Sequence, residues 1–168
     1  MQKADEGQST NNVSALRFGL IDNGYLPIPL YGKEPPIYGK NNKRKGLASW
    51  QKIDTVSPEM IAMWTAQWPD AVNTGVLTKN TPALDIDILN PDVAKAVEAL
   101  VRDYYEERGN VLVRFGLPPK RAIPFRTDAP FAKILRNLIA PDGSEHKLEL
   151  LASGQQFTSQ AQPLEAAE

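Results

Sequence analysis

Two aspartates one residue apart, Asp85 and Asp87, stand in the run Pro82-Ala83-Leu84-Asp85-Ile86-Asp87-Ile88-Leu89. A β-strand points successive side chains to opposite faces, so Leu84, Ile86 and Ile88 share one face and both carboxylates share the other, their Cα atoms about 7 Å apart. Two anions on one surface repel unless a cation sits between them, and hard oxygen ligands suit Mg²⁺ or Mn²⁺. Metal-assisted chemistry on phosphate is the first reading of the pair. The same string also describes a half-buried edge strand that alternates apolar and charged residues and does no chemistry.

Lys147-Leu148-Glu149-Leu150 repeats the pattern, with Leu148 and Leu150 directed to a core and Lys147 and Glu149 away from it. Glu149 is thereby a third candidate carboxylate, because two metal ions about 3.5 to 4 Å apart need several carboxylate oxygens and two adjacent strands can supply them. The plainer alternative is an exposed strand with a Lys and a Glu on its wet face. Five cations, Arg114, Lys120, Arg121, Arg126 and Lys133, lie between the two acidic segments. At alternating strand positions they would line up beside the carboxylates and hold a triphosphate through charge-assisted hydrogen bonds, although scattered surface cations are commonplace. The single histidine, His146, has no evident partner and reads as exposed.

These residues need elements to position them. Val13, Leu16, Leu20 and Ile21 follow helical spacing, with Gly24 placed to end the helix, and Tyr25 to Leu30 reads as a strand. From Tyr31 to Ser49 the chain has loop composition with a positive bias, carrying Lys33, Lys40, Lys43, Arg44 and Lys45. Such a run is a solvated loop or a place where a nucleic-acid backbone docks. Ser57-Pro58-Glu59 has a capping residue, a proline at the first helical position and an acid in the first turn, with Ile61, Trp64 and Trp68 along one face. Asn73 to Leu77 and Ala83 to Ile88 read as adjacent strands joined by a turn at Asn80 to Pro82. Asn90-Pro91 opens a helix with a buried stripe of Val93, Val97, Leu100 and Tyr104, stopped by Gly109. Four shorter strands follow, at Val111 to Phe115, Arg121 to Arg126, within Phe131 to Ile139, and at Lys147 to Leu151, with a turn at Pro141-Asp142-Gly143. Helices on early strands followed by a run of strands point to an α+β fold.

At 168 residues and 42% hydrophobic content the chain is long enough for one ordinary core and short for two, so one domain over residues 13–157 is expected between a disordered tail at 1–12 and a flexible tail at 158–168. Nineteen Lys and Arg against twenty Asp and Glu give a formal charge of −1, so a nucleic-acid surface must come from local clustering. With no cysteine, disulfides, thiol nucleophiles and Cys-based zinc sites are excluded. The opening residues lack a signal-peptide core, and no stretch approaches the roughly 20 apolar residues of a membrane helix, so a cytoplasmic protein with no membrane partner is expected. No phosphate-binding Gly-x-x-x-x-Gly-Lys-Ser/Thr loop and no His-Glu-x-x-His motif occurs.

Several segments, taken in order, resemble the bifunctional DNA primase/polymerase domain of the archaeo-eukaryotic primase superfamily, found in plasmid, phage and other mobile-element replication proteins. They are Gly24-Tyr25 and Pro27-Ile28-Pro29-Leu30, Gly32-Lys33-Glu34-Pro35, Trp50, Ile61 with Trp64, Pro69, Asn73-Thr74-Gly75-Val76, Leu84-Asp85-Ile86-Asp87, Glu149-Leu150 and Gly154-Gln155-Gln156-Phe157. The resemblance runs from about Ala15 to Phe157. It implies a mixed-sheet α+β fold in which an RNA-recognition-like catalytic sheet with flanking helices carries the carboxylates. It implies Asp85 and Asp87 as the first metal-binding motif and Glu149 as the third, with two divalent ions, Mg²⁺ or Mn²⁺. The implied activity is template-directed synthesis of primers or DNA on single-stranded DNA from nucleoside triphosphates, in a bacterial, archaeal or phage-infected cell. Many such domains are joined to a replicative helicase.

The chain departs from that pattern at the second motif. The small-residue and glycine turn followed by histidine is replaced by Arg114-Phe115-Gly116-Leu117-Pro118-Pro119-Lys120-Arg121, leaving Lys120 or Arg121 to take the histidine's place at the nucleotide. The domain also commonly continues past the third motif, so the chain reads as a fragment or a compact version.

Overall fold

A computed structural model of the chain describes residues 6–35, 47–105, 109, 111–140 and 142–160. They form two compact units, one from the described residues up to Leu77 and from Gln156 onward and the other from those between Thr78 and Gln155. The length of the chain suggested one core, and the buried apolar residues instead form a separate cluster in each unit.

The first unit contains helix α1 (Glu6–Asp22), strand β1 (Pro27–Leu30), a 3-10 turn at Trp50–Lys52, helix α2 (Pro58–Gln67) and strand β2 (Asn73–Leu77). α1 starts within the segment expected to be a disordered tail, and Gly24 closes it with φ of 72° and an N–H that donates to the Ile21 carbonyl. That left-handed conformation costs glycine little, which is why the helix stops there. Ser57 caps α2 by accepting the Met60 N–H on its hydroxyl, as the Ser-Pro-Glu run predicts. The core consists of Ile28, Leu30, Trp64, Trp68, Ala71 and Leu77. Arg17 is buried on α1, donating from Nη2 to the carbonyls of Ala71 (2.6 Å) and Asn73 (2.9 Å) and from Nε to Thr74 Oγ1 (3.2 Å). Burial pulls its pKa down to about 10.

The sheet of this unit runs β1-β2-β8, and β8 (Gln156–Gln160) extends into the segment from Thr158 onward that is expected to be a flexible tail. It pairs antiparallel with β2, burying Thr158, and Ser159 Oγ donates to the Thr74 carbonyl at 3.0 Å.

The second unit holds strand β3 (Ala83–Asp87), helix α3 (Pro91–Tyr105), and strands β4 (Arg114–Phe115), β5 (Arg121–Pro124), β6 (Ile134–Ile139) and β7 (Glu145–Leu151). Its sheet order is β4-β5-β3-β7-β6. β2 and β3, expected as adjacent strands, therefore belong to different sheets and do not pair. The α+β class holds, but every pairing between these strands is antiparallel, so they build two antiparallel sheets in place of a mixed one.

Asn90 starts α3, its Oδ1 accepting the N–H groups of Asp92 (3.0 Å) and Val93 (3.2 Å). Val93, Val97 and Val101, with buried Ala94, pack on Leu84, Ile86, Ile88, Ile123 and Leu148. Leu100 and Tyr104, expected in that stripe, are 70% and 65% exposed. The buried face is centred on Ala94, Glu98 and Val101, and Leu100 lies about 120° round the helix from that centre.

Candidate active site

β3 is the middle strand of the five, flanked by β5 and β7. Its register sets Asp85 directly opposite Glu149 on β7 and Ala122 on β5, and Ala122 in turn opposite Arg114 on β4. Residues directly opposite in an antiparallel pair share a face, so Arg114, Ala122, Asp85 and Glu149 form one row across the sheet. One pleat along, Asp87 stands opposite Lys147 on the same face. The intervening Leu84, Ile86 and Leu148 turn to the other face and pack against α3. The two acidic segments thus converge, placing Asp85, Asp87 and Glu149 on neighbouring strands with Glu149 only 7% exposed.

Cations surround the carboxylates. Lys120 Nζ lies 2.6 Å from Asp87 Oδ1, Lys133 Nζ 3.1 Å from Glu149 Oε2, and Lys147 Nζ 2.5 Å from Glu149 Oε1. Arg114 acts electrostatically on Asp85, and Gly116 leaves room for its guanidinium, since a Cβ there would stand 3.2 Å from Nη1. Four cations, Arg114, Lys120, Lys133 and Lys147, against three carboxylates leave this group a formal +1.

The environments of the three acids differ. Burial pushes the Asp85 carboxyl above the usual aspartate range, and the charges of Asp87 and Glu149 push it further, against the pull of Arg114 and Lys120. Burial also acts to raise Glu149, but hydrogen bonding and charge from Lys147 and Lys133 outweigh it and hold the carboxyl below the usual glutamate range. Glu149 Oε1 is buried, and its neighbour is the Lys147 ammonium at 2.5 Å.

Lys147, which strand alternation alone places only away from the core, joins the site because it occupies the same alternating phase as Glu149. Arg121 is where the sequence reading fails. It stands opposite Ile86, on the α3 face, where its guanidinium is ion-paired with Glu98 of α3, and Glu98 also accepts from Arg102 Nε at 2.7 Å. The structure therefore does not bring Arg121 together with the carboxylates; it joins α3 to the sheet. Lys120, its chain neighbour, takes the side of Asp87. Arg126 is exposed two residues beyond β5. His146, expected to be exposed, is buried on β7 with its Nε2 3.2 Å from Ser144 Oγ. Lys33 is exposed in the first unit, and Lys40, Lys43, Arg44 and Lys45 lie outside the described residues.

Three carboxylates on one face are the donor set that Mg²⁺ or Mn²⁺ takes, all of them hard oxygen ligands on neighbouring strands. In donor chemistry the residues fit a divalent ion. They are not gathered as a ready cage: among the described residues no three Asp, Glu, His or Cys side chains stand in metal-holding geometry. Asp87 and Glu149 are turned to lysine ammoniums instead.

No helix among the described residues is long and apolar enough to cross a membrane. No curated protein matches the chain. Residues 20–162, which include both sheets with every carboxylate and lysine of the site, match the family described as bifunctional DNA primase/polymerase, N-terminal. With most of its length matched, and with the paired aspartates and the glutamate brought onto one face of one sheet, the chain belongs to the bifunctional DNA primase/polymerase N-terminal family.

Proposed function

We propose that the chain catalyses template-directed nucleotidyl transfer, extending or starting a strand on single-stranded DNA during replication of a plasmid, phage or other mobile element. Family membership supports primase/polymerase-type chemistry, and one observation carries its assignment to this face: Asp85 stands in register with Glu149, with Asp87 one pleat along and cations on all sides. In this reaction the 3′-oxygen of the primer or initiating nucleotide bonds to the α-phosphorus of a nucleoside triphosphate. The bond from that phosphorus to the bridging oxygen breaks, pyrophosphate leaves, and the hydroxyl proton is lost.

Asp85, Asp87 and Glu149 would hold Mg²⁺ or Mn²⁺, which when bound supplies Lewis acidity for an attack on phosphate. Lys120 and Lys133 are long, 37–38% exposed side chains that reach phosphate oxygens without moving the backbone, and Arg114 offers a planar guanidinium suited to two oxygens at once. Their charge favours the triphosphate and, after transfer, the departing pyrophosphate.

A second reading is favoured by the lysine contacts to Asp87 and Glu149 and by the replaced second-motif histidine: a module that binds nucleic acid without chemistry. Incubation with a labelled primed template, all nucleotides and Mg²⁺ or Mn²⁺ separates the readings. Lengthened product that disappears in the Asp85→Ala, Asp87→Ala double variant is the expected outcome. Salt-sensitive DNA binding with no metal-dependent incorporation points to the second reading, and shortened product to a phosphodiesterase. Product from the double variant at the wild-type level refutes the assignment.

A further inference from the structure

The proposed reaction calls on Lys120 and Lys133 for the triphosphate but does not account for all three ammonium groups standing on the carboxylates. Lys147 lies on the same strand as Glu149, in the same alternating phase, opposite Asp87. Its Nζ is 2.5 Å from Glu149 Oε1, while Lys133 holds the other oxygen of the same carboxylate and Lys120 holds Asp87. A divalent ion approaching these acids meets oxygens already in contact with positive charge, and at such distances two cations on one carboxylate repel strongly. The lysines are also half-exposed on flexible four-carbon stems, with side-chain exposures of 37–47%, so each can leave its acid without unfolding the sheet.

We infer that Lys147, with Lys133 and Lys120, is a displaceable internal counter-ion, so that the divalent ion and the triphosphate bind cooperatively by exchanging partners with it. This rests on the nucleotidyl-transfer reading of the same face. Asp85, Asp87 and Glu149 would hold the ion, and the ammoniums of Lys147, Lys133 and Lys120, freed from those carboxylates, would pair with the phosphates. Either ligand alone leaves one set of charges unsatisfied, whereas both together satisfy every charge. The buried Glu149, flanked by two lysines, would otherwise be a costly isolated charge, which explains why the counter-ions are built into the chain. Lys147 is in this account a positioning residue: it acts through Glu149 and sets how readily that carboxylate becomes available.

The test is direct Mn²⁺ binding to the full chain, followed through the electron paramagnetic resonance signal of free Mn²⁺, with and without a non-hydrolysable nucleoside triphosphate and corrected for the Mn²⁺ that the analogue binds without protein. Wild type should bind Mn²⁺ weakly alone and on the order of tenfold more tightly with the analogue, one charge-assisted contact regained being a tenfold effect in an equilibrium constant. Lys147→Met should tighten Mn²⁺ binding without nucleotide by a similar factor and reduce the gain on adding the analogue. Lys133→Met should shift both quantities the same way, and serves alone if the Lys147 variant does not fold. Unchanged or weaker Mn²⁺ affinity in the folded lysine variants, with binding still abolished by Asp85→Ala, overturns the partner exchange and leaves the catalytic reading standing. No Mn²⁺ binding by wild type under any condition overturns both.

Discussion

At the scale of single residues, the carboxylate face is held in tension by charges of opposite effect. Asp85 has a folded pKa raised by burial and by Asp87 and Glu149, so its ionised form is less favourable in the folded chain than in the unfolded one. Its penalty is absent below the ordinary aspartate value, grows as pH rises through the window up to the raised folded value, and is fully present at neutral pH. Asp85→Asn should therefore stabilise the protein at neutral pH, by on the order of 1 kcal/mol, the usual scale of a relieved unfavourable charge, while removing activity. Urea denaturation at neutral pH and again below the aspartate range checks the sign, because the advantage should vanish in acid. Glu149 runs oppositely: its lowered folded pKa contributes stability above the ordinary glutamate range that is lost as pH falls through the folded value. Arg121 gives a second residue-scale prediction. Its pairing with the buried Glu98 makes Arg121→Ala a stability variant, expected to cost ~1–3 kcal/mol through the Glu98 oxygen left without its donor while Arg102 keeps the other paired, and to leave triphosphate affinity unchanged in the remaining folded protein. Denaturant titration beside nucleotide binding separates those effects. The paired aspartates and Glu149 were legible because alternation within a strand fixes which side chains share a face. Arg121 was not, because its face depends on the register of β5 against β3, which no local pattern encodes.

At the scale of elements, the sequence was most informative where periodicity and capping agreed. α2 begins after Ser57 and turns Ile61 and Trp64 inward, as its first residues and apolar spacing require. β8 was illegible for the opposite reason: Gln156-Phe157-Thr158-Ser159-Gln160 is polar, and its place in the sheet comes from pairing with a distant strand and not from an apolar pattern of its own. The contact between these strands is close at Gly75 of β2. A Cβ there would stand 2.6 Å from Gln156 Oε1 and 3.0 Å from Leu30 Cδ1, and Leu30 is fully buried. The glutamine amide can swing away, but the leucine is fixed in the core. Gly75→Ala is expected to cost ~1–3 kcal/mol by overpacking, seen as a lowered urea midpoint with an unchanged slope. A midpoint equal to wild type would mean that β8 yields at this position without loss.

At the scale of the whole chain, the second unit is inserted into the first: the chain leaves the three-stranded sheet at Leu77 and returns to it at Gln156. Sequence alone presented this as a single run of elements, since nothing local marks a strand whose partner lies some eighty positions away. The insertion makes the last strand a structural closure of the first unit. β2 is central only because β8 covers it, and Gln156 Nε2 further ties β8 to the Lys33 carbonyl at 2.9 Å. A chain ended after Gln155 should leave β2 with β1 alone, its outer edge open and its neighbours deprived of Thr158 packing. Every strand partner of β3 and β7, by contrast, lies within residues 78–155. Hydrogen exchange followed by mass spectrometry should then show β2 amides losing at least about tenfold in protection, equivalent to ~1.4 kcal/mol of opening free energy, while β3 and β7 keep theirs. Equal loss in both sheets would show that the two units open as one cooperative body, and the carboxylate face would then depend on β8 for its stability.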